Sequence, residues 1–254
     1  MHEFAFVFAG FFVGLVVGLT GVGGGSLMTP LLIFVFGVKP HLAIGTDLLF
    51  AAFTKMGGTV SMARQRLVPW RVVGLLCAGS IPAALVALWF LQRLGPDSAQ
   101  VQHLMTSTLG FALLLTAAAM AYKVIVFSPQ RQAAELAARS AHQSHADRPR
   151  HWSLPVLLGA LIGALVTFTS VGAGAIGVTV LLLVFPHLPL PRIIAADIAY
   201  AVPLTLVAGM GHASLGSVDW LLLAQLLAGS LPGIWIGSRL MSRTPERWIR
   251  SALS

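Results

Sequence analysis

Charged residues are scarce in this chain of 254 residues, since Asp, Glu, Lys and Arg make up 9% of it whereas hydrophobic residues make up 57%. An average soluble domain is about a quarter charged, and a soluble core cannot hide so much apolar surface. The period-2 alternation of an outer-membrane barrel is also missing. These absences exclude a soluble domain and a barrel, and they predict an all-α, polytopic membrane helix bundle.

Cysteine is nearly absent as well. The single Cys77 lies in an apolar run, so neither a disulfide nor a redox pair can form within one chain. The first apolar run has no Lys or Arg before it and no small-residue cleavage site after it, so we expect a retained helix rather than a secretion signal. No phosphate-binding loop of P-loop spacing is present, which argues against direct use of ATP.

The second half of the chain repeats the first at an offset of about 150 residues, and Asp47 returns as Asp197. Several residues recur at this offset: Val68, Trp70, Ala78, Gly79, Ser80 and Pro82 return as Val218, Trp220, Ala228, Gly229, Ser230 and Pro232. Duplication of this kind in a membrane chain is typical of transporters.

Nine apolar segments are predicted, at residues 4–20, 26–36, 42–62, 72–91, 101–122, 154–168, 175–185, 193–211 and 220–240. They form two four-segment repeats and a connecting helix. We place the first membrane repeat at residues 1–95, the connecting helix and a cytoplasmic linker at 96–151, and the second repeat with a basic cytoplasmic tail at 152–254. The sequence leaves open whether segments 26–36 and 175–185 are re-entrant or fully spanning, because both are short.

Orientation follows from the basic residues. Most of the 16 Lys and Arg residues fall in loops that a nine-segment topology with the N-terminus outside places in the cytoplasm. The odd number of segments then inverts the second repeat relative to the first. The net charge of +8 is explained in this way, so we expect no nucleic-acid partner. The linker histidines have no acidic or cysteine partners at ligand spacing, and we expect neither a metal nor a cofactor.

Glycine-rich breaks precede the short second segment of both repeats. The residues of these breaks are Gly21, Gly23, Gly24, Gly25 and Ser26 in the first repeat, and Ser170, Gly172 and Gly174 in the second. A break leaves helix N–H groups without intrahelical partners, and the helix dipole adds partial positive charge there. An anion is the natural ligand, and in re-entrant hairpins both helix starts would converge on one cavity. Close helix packing through small residues is the alternative.

Asp47 and Asp197 each lie near the start of the third segment of a repeat, where a lone charge costs at least about 2.5 kcal/mol at the bilayer centre. We interpret them as proton-coupling or gating residues. The alternative is a protonated or backbone-bonded carboxyl that caps a helix. Opposite topologies place them on either side of the midplane, about 15 Å apart, which argues against a catalytic dyad.

Lys55 is the one basic residue in the middle of a segment, and its counterpart in the second repeat is Thr205. Three roles are open: it balances a substrate anion, it pairs with an aspartate across the bundle, or it extends towards the interface. Asp47 is about 12 Å away along the same helix, which is too far for a direct pair.

Four motifs with their second copies resemble the TauE/SafE sulfite exporter family, also called the toluene-sulfonate uptake permease superfamily. They are GLTGVGGGS at 18–26, AIGT at 43–46, VPW at 68–70 and GSIP at 79–82. The resemblance covers nearly the entire chain apart from the linker. It implies a bacterial inner-membrane carrier for small, often sulfur-containing anions such as sulfite or sulfonates.

By this resemblance both glycine breaks, Thr46 and the region around Asp197 line the path. The family often has a neutral polar residue where this chain has Asp47. An ionised Asp47 would repel an anionic substrate, and a protonated Asp47 or proton coupling removes that conflict.

We therefore expect a secondary transporter of a small anion that works by alternating access, with the two repeats rocking around a central cavity. Its partners are the anion and the lipid bilayer, and its C-terminus is cytoplasmic. A membrane-embedded enzyme and a passive anion channel are the alternatives. The sequence leaves open the transport direction, the coupling ion, the substrate's identity and assembly into a homo-oligomer.

Overall fold

The computed structural model describes residues 2–20, 25–95, 98–126, 153–185 and 188–243. These residues form nine α-helices and no strand. The helices of the first half are α1 (His2–Thr20), α2 (Gly25–Pro30, extended by a π-helical turn at Leu31–Val35), α3 (Pro40–Arg64), α4 (Trp70–Leu94) and the connecting helix α5 (Ala99–Val126). Those of the second half are α6 (Ser153–Thr169), α7 (Ala175–Val184), α8 (Leu190–Ser214) and α9 (Trp220–Arg243). The predicted all-α bundle is confirmed.

Four of these helices are long and apolar enough to cross a membrane: α4, α8, and the spans at residues 99–119 of α5 and 220–237 of α9. Large apolar side chains such as Phe4, Phe8 and Leu114 are largely exposed on the outside of the bundle. Such a surface suits lipid, because hydrocarbon offers no partner to polar groups. Trp70 and Trp220 are exposed at the first residues of α4 and α9, where interfacial anchors are expected.

The first helix of each repeat packs against the last helix of the other. In the pairs α1–α9 and α4–α6, glycines of one helix lie directly on backbone carbonyl groups of its partner, where a Cβ would overlap them. These contacts are Gly10 with Leu226, Gly14 with Ser230 and Gly229 with Val7, and their repeat counterparts Gly159 with Leu76, Gly163 with Ser80 and Gly79 with Val156. The residue numbers rise together along each pair, so both pairs are parallel. Small residues permit this close backbone approach.

The third helices of the repeats, α3 and α8, cross each other in the middle of the bundle. Gly209 packs against Leu49, whereas the Thr59 hydroxyl lies 3.5 Å from the Ile198 carbonyl oxygen. Residue numbers fall on α8 as they rise on α3, so these helices are antiparallel. Because α8 is the second copy of α3, the two repeats have opposite orientations, as the sequence predicts.

α3 and α8 also end in the same way. The Leu67 N–H donates to the Met62 carbonyl at 3.1 Å, and the Ser217 N–H donates to the His212 carbonyl at 2.9 Å. The residue before each donor is left-handed, with φ of 57° at Arg66 and 69° at Gly216. This is the hydrogen-bond pattern of a Schellman cap. The duplication therefore extends to the loops that turn the chain back.

The short helices α2 and α7 are too short to cross the hydrocarbon by themselves. α7 has 10 residues, and α2 with its π-helical turn has 11, which corresponds to about 15–17 Å. α7 packs among α5, α6 and α8. The connecting helix α5 also contacts α3 and α4, so its place in the bundle has no counterpart in the two-fold arrangement.

The close contacts between glycines and backbone carbonyls in the α1–α9 and α4–α6 pairs, called the glycine seams below, give a first prediction. Gly79→Ala should destabilise the protein by about 1–3 kcal/mol, because the new methyl group overlaps the Val156 carbonyl group. Gly74→Ala on the same helix is the matched control, since a Cβ there meets nothing within 4 Å. Thermal unfolding in detergent, followed by tryptophan fluorescence, compares the two. Equal stability of both variants would contradict the packing of this seam.

The inverted arrangement gives a second prediction. Arg64 and Ser214 are exposed counterparts at the ends of α3 and α8. In a background with Cys77→Ala, Arg64→Cys and Ser214→Cys should react with a membrane-impermeant maleimide from opposite sides of the membrane. Intact cells and inside-out vesicles distinguish the two sides. Labelling of both positions from one side would be incompatible with inverted repeats.

Candidate functional site

Two carboxyl groups, an ammonium group and a phenol are buried where α3 and α8 cross. Asp47 and Lys55 lie on α3, and Asp197 and Tyr200 lie on α8. Asp47 and Tyr200 are 0% exposed, Asp197 is 2% exposed and Lys55 is 6% exposed. Polar groups at this depth are costly unless they are paired, so the cluster needs a structural or functional explanation.

The second glycine break lies beside this cluster. Ser170, Gly172 and Gly174 have φ of 57°, 131° and 134°, which turns the chain sharply between α6 and α7. Thr169 holds the entry to the turn, because its hydroxyl donates to the Leu165 carbonyl at 2.7 Å and accepts from the Val171 N–H at 3.1 Å. The N-cap residue of α7 is Gly174, which has no side chain to cap the helix, and its N–H faces the carboxyl of Asp197. The positive end of the α7 dipole thus lies at the cluster.

Lys55 reaches from the first repeat to this break in the second. Its Nζ donates to the Ala173 carbonyl at 3.1 Å. Its ammonium group is also within electrostatic reach of both carboxyls. Of the three roles that the sequence leaves open, extension to the interface is wrong, because the side chain points across the bundle and stays buried.

Asp47 accepts a hydrogen bond from one hydroxyl group. The Thr29 hydroxyl of α2 donates to Asp47 Oδ2, and the Ser170 hydroxyl of the second break faces the same carboxyl without forming a hydrogen bond. Asp47 Oδ1 has no hydrogen-bond partner. The carboxyl therefore links α2 and α3 of one repeat to the break of the other.

Asp197 has a different environment. The backbone N–H of Gly174 faces its carboxyl, while Asp197 Oδ1 and the Tyr200 hydroxyl have no hydrogen-bond partner. Both oxygens lie against Gly177 of α7, where a Cβ would overlap Asp197 Oδ1. The missing side chain at Gly177 thus makes room for the carboxyl.

Thr46 occupies a structural position. Its side chain is fully buried, and its hydroxyl accepts a hydrogen bond of 3.0 Å from the backbone N–H of Asp219 at the start of α9. This bond ties α3 to the loop between α8 and α9. His212 is buried nearby, with Nε2 3.0 Å from the Thr167 carbonyl oxygen.

The first glycine break is only partly described. Gly21, Gly23 and Gly24 lie outside the described residues, and Gly25 is the first residue of α2. Convergence of the two breaks on one cavity therefore stays a prediction. Among the residues that the structure does describe, Asp47, Lys55, Asp197 and the second break lie together, and Thr46 lies apart at the loop before α9.

Sequence reasoning missed Thr29, Gly177 and Tyr200. Comparison of the repeats carries a signal for Tyr200, because its counterpart in α3 is Phe50, which lacks the hydroxyl. Thr29 and Gly177 carry no comparable signal. A threonine and a glycine in short apolar helices acquire their roles only when α2 and α7 pack against the aspartates.

Comparison with known proteins gives a consistent result. The family described as "Sulfite exporter TauE/SafE" matches residues 6–254. The probable membrane transporter protein YjnA of Bacillus subtilis is 35% identical over 250 residues, which cover 95% of this chain and 91% of that protein. YdhB, another probable membrane transporter protein of Bacillus subtilis, is 24% identical over 243 residues, or 96% of this chain and 92% of that protein.

A probable membrane transporter protein of Xylella fastidiosa is 25% identical over 237 residues, which cover 92% of this chain and 83% of that protein. No solved structure shows a significant match. The matched family spans both repeats and the cluster between them, and its relatives are named as transporters. The chain belongs to the sulfite exporter TauE/SafE family and is a multi-pass membrane transporter.

Proposed function

We propose that this protein is a secondary transporter of a small anion, with sulfite or an organosulfonate as the first candidate, in the bacterial inner membrane. The description of the family supports a sulfur oxyanion as the substrate. The basic loop residues Arg64, Arg66 and Arg71 are exposed, and this supports a cytoplasmic position for that loop. The N-terminus is then outside and the C-terminus is in the cytoplasm.

The observation that carries the proposal is Lys55. It is the only buried Lys or Arg among the residues whose side chains the structure describes. Its ammonium group has three N–H donors, and Ala173 accepts one of them. A buried cation with further donors, beside the N-terminal end of a helix, is a suitable binding site for a small anion. The substrate site then includes Lys55, Ser170, Gly172 and Gly174.

The aspartates fit the proposal as proton-coupling or gating residues. Two ionised carboxylates beside one ammonium would leave a net negative charge and repel an anion. Protonation of one carboxyl removes that repulsion, so anion binding and proton binding favour each other. By the two-fold relation of the repeats, Gly21, Gly23, Gly24, Gly25 and Ser26 provide the corresponding break of the first repeat.

The packing refines the proposed motion. The seams of α1–α9 and α4–α6 bring backbone against backbone, and sliding there would drive side chains into carbonyl groups. Each seam contains one helix from either repeat. We therefore assign alternating access to movement of these two mixed pairs about the crossing of α3 and α8, rather than to rocking of one intact repeat against the other.

Purified protein in liposomes tests the function. Uptake of sulfite, methanesulfonate, sulfoacetate and acetate is measured against external concentration. We expect saturable uptake of at least one sulfur oxyanion, since a carrier binds its substrate in every cycle. An ohmic current without saturation would indicate a channel, and conversion of the anion without uptake would indicate an enzyme.

A substitution of Lys55 tests the site. Lys55→Gln should raise the half-saturating anion concentration at least about tenfold, because tenfold corresponds to only about 1.4 kcal/mol of lost interaction. Lys39→Gln is the control, since Lys39 is an exposed lysine before the start of α3. Lys55→Arg, which keeps the charge, should retain more affinity than Lys55→Gln. Unchanged half-saturation in Lys55→Gln would remove Lys55 from the substrate site.

A further inference from the structure

The two buried aspartates are not equivalent in their partners. Asp47 receives the Thr29 hydroxyl on one oxygen, and the Ser170 hydroxyl faces it as well. Asp197 has the Gly174 N–H on one side, whereas its Oδ1 and the adjacent Tyr200 hydroxyl have no hydrogen-bond partner. Asp47 Oδ1 and the Ser170 hydroxyl likewise have no hydrogen-bond partner. What distinguishes the two carboxyls is that Asp197 faces the N–H of the same peptide bond whose Ala173 carbonyl accepts from Lys55.

Lys55 is the cation that interacts with Asp197. The ammonium group is within electrostatic reach of both carboxyls, but its hydrogen-bond acceptor, the Ala173 carbonyl, belongs to the peptide bond whose N–H faces Asp197. Its hydrogen bond to Ala173 fixes it beside the turn that leads into α7. An anion at the start of α7 would meet the same ammonium group. Asp197 and the anion therefore compete for one positive charge.

We propose that Lys55 is neutralised in turn by Asp197 and by the transported anion, so that each monovalent anion is carried together with one proton on Asp197. In the empty carrier, Lys55 is charged and Asp197 is ionised. In the loaded carrier, the anion neutralises Lys55 and a proton from the same aqueous side is bound to Asp197 Oδ1. Both forms carry the same net charge, and Asp47 keeps one protonation state throughout. The inference rests on the proposed transport function.

The surroundings of Asp197 contain few other groups that titrate. Lys55 faces it from α3, and Tyr200 lies on its own helix, with Cys77 of α4 beside the tyrosine. Neither a phenol nor a thiol is ordinarily charged near pH 7. α7 and α6 carry no ionisable side chain at all. Among the buried groups of the cluster, only the two carboxyls can exchange a proton near pH 7, and Asp197 is the one that faces the peptide bond to which Lys55 donates.

The test measures anion uptake and internal pH together in liposomes, with hydrogensulfite at pH 6 and methanesulfonate as probes. Protein-free liposomes give the leak of each probe, which is subtracted. For the wild type we expect one proton per monovalent anion, and an accumulation that does not respond to membrane potential. Uptake that follows the potential without proton movement would overturn the inference and leave the transport function standing. Absence of uptake of either probe would overturn both.

Three variants locate the proton. Asp197→Asn should still exchange external for internal anion but lose proton movement, and its net accumulation should change tenfold per 59 mV because one charge now moves. Asp47→Asn should still move one proton per anion, whatever its rate. Gly177→Ala places a methyl group on Asp197 Oδ1 and should impair proton movement more than exchange.

Size-exclusion profiles and thermal unfolding establish that each variant is folded. A ratio of one proton per anion in Asp197→Asn would refute the assignment. Loss of proton movement in Asp47→Asn, with Asp197→Asn still coupled, would transfer the role to Asp47 and refute it equally.

Discussion

A lysine enclosed between two aspartates in an apolar interior is the constraint on which the rest of this structure depends. An isolated charge at this depth is costly, and removal of one partner from a buried ionic group leaves the others uncompensated. The partners of Lys55, Asp47 and Asp197 come from α2, α3, α8 and the second break. The relative positions of these four elements are therefore fixed by charge as well as by packing, and a change of charge in the cluster acts on all of them.

The glycine seams determine which parts can respond to such a change. In α1–α9 and α4–α6, backbone lies on backbone along several turns, since the atoms nearest to the seam glycines are backbone atoms of the partner helix. The crossing of α3 and α8 is different, because Leu49 and Ile198 side chains separate the helices there. The outer helix pairs are therefore rigid, whereas side chains at the α3–α8 crossing can change their packing. Movement of the pairs is then expected at this crossing, which is also where the buried charges lie.

Much of this architecture could be predicted from the sequence, because duplication and charge asymmetry are properties of the linear chain. The matched Asp47 and Asp197, the paired prolines and tryptophans and the basic loop after α3 were enough to infer inverted repeats. The contacts of Lys55 could not be predicted in this way. The distance along α3 excludes Asp47 as a direct partner of Lys55. Residue spacing within one helix cannot, however, predict the hydrogen bond of Lys55 with Ala173 of the other repeat. Thr29 and Gly177 acquire meaning only from tertiary packing.

The departures from two-fold symmetry explain how a duplicated chain acquires a single site. An ideal inverted repeat would carry every polar group twice, once for each side of the membrane. Here the counterpart of Lys55 is Thr205, whose hydroxyl donates to the Ala201 carbonyl of its own helix, and the counterpart of Tyr200 is Phe50. The duplicated backbone supplies two equivalent orientations, which alternating access requires. The unduplicated lysine and tyrosine supply one cation and one extra hydroxyl. Under the proposed function, divergence at these two positions gives the carrier one anion site that both orientations share.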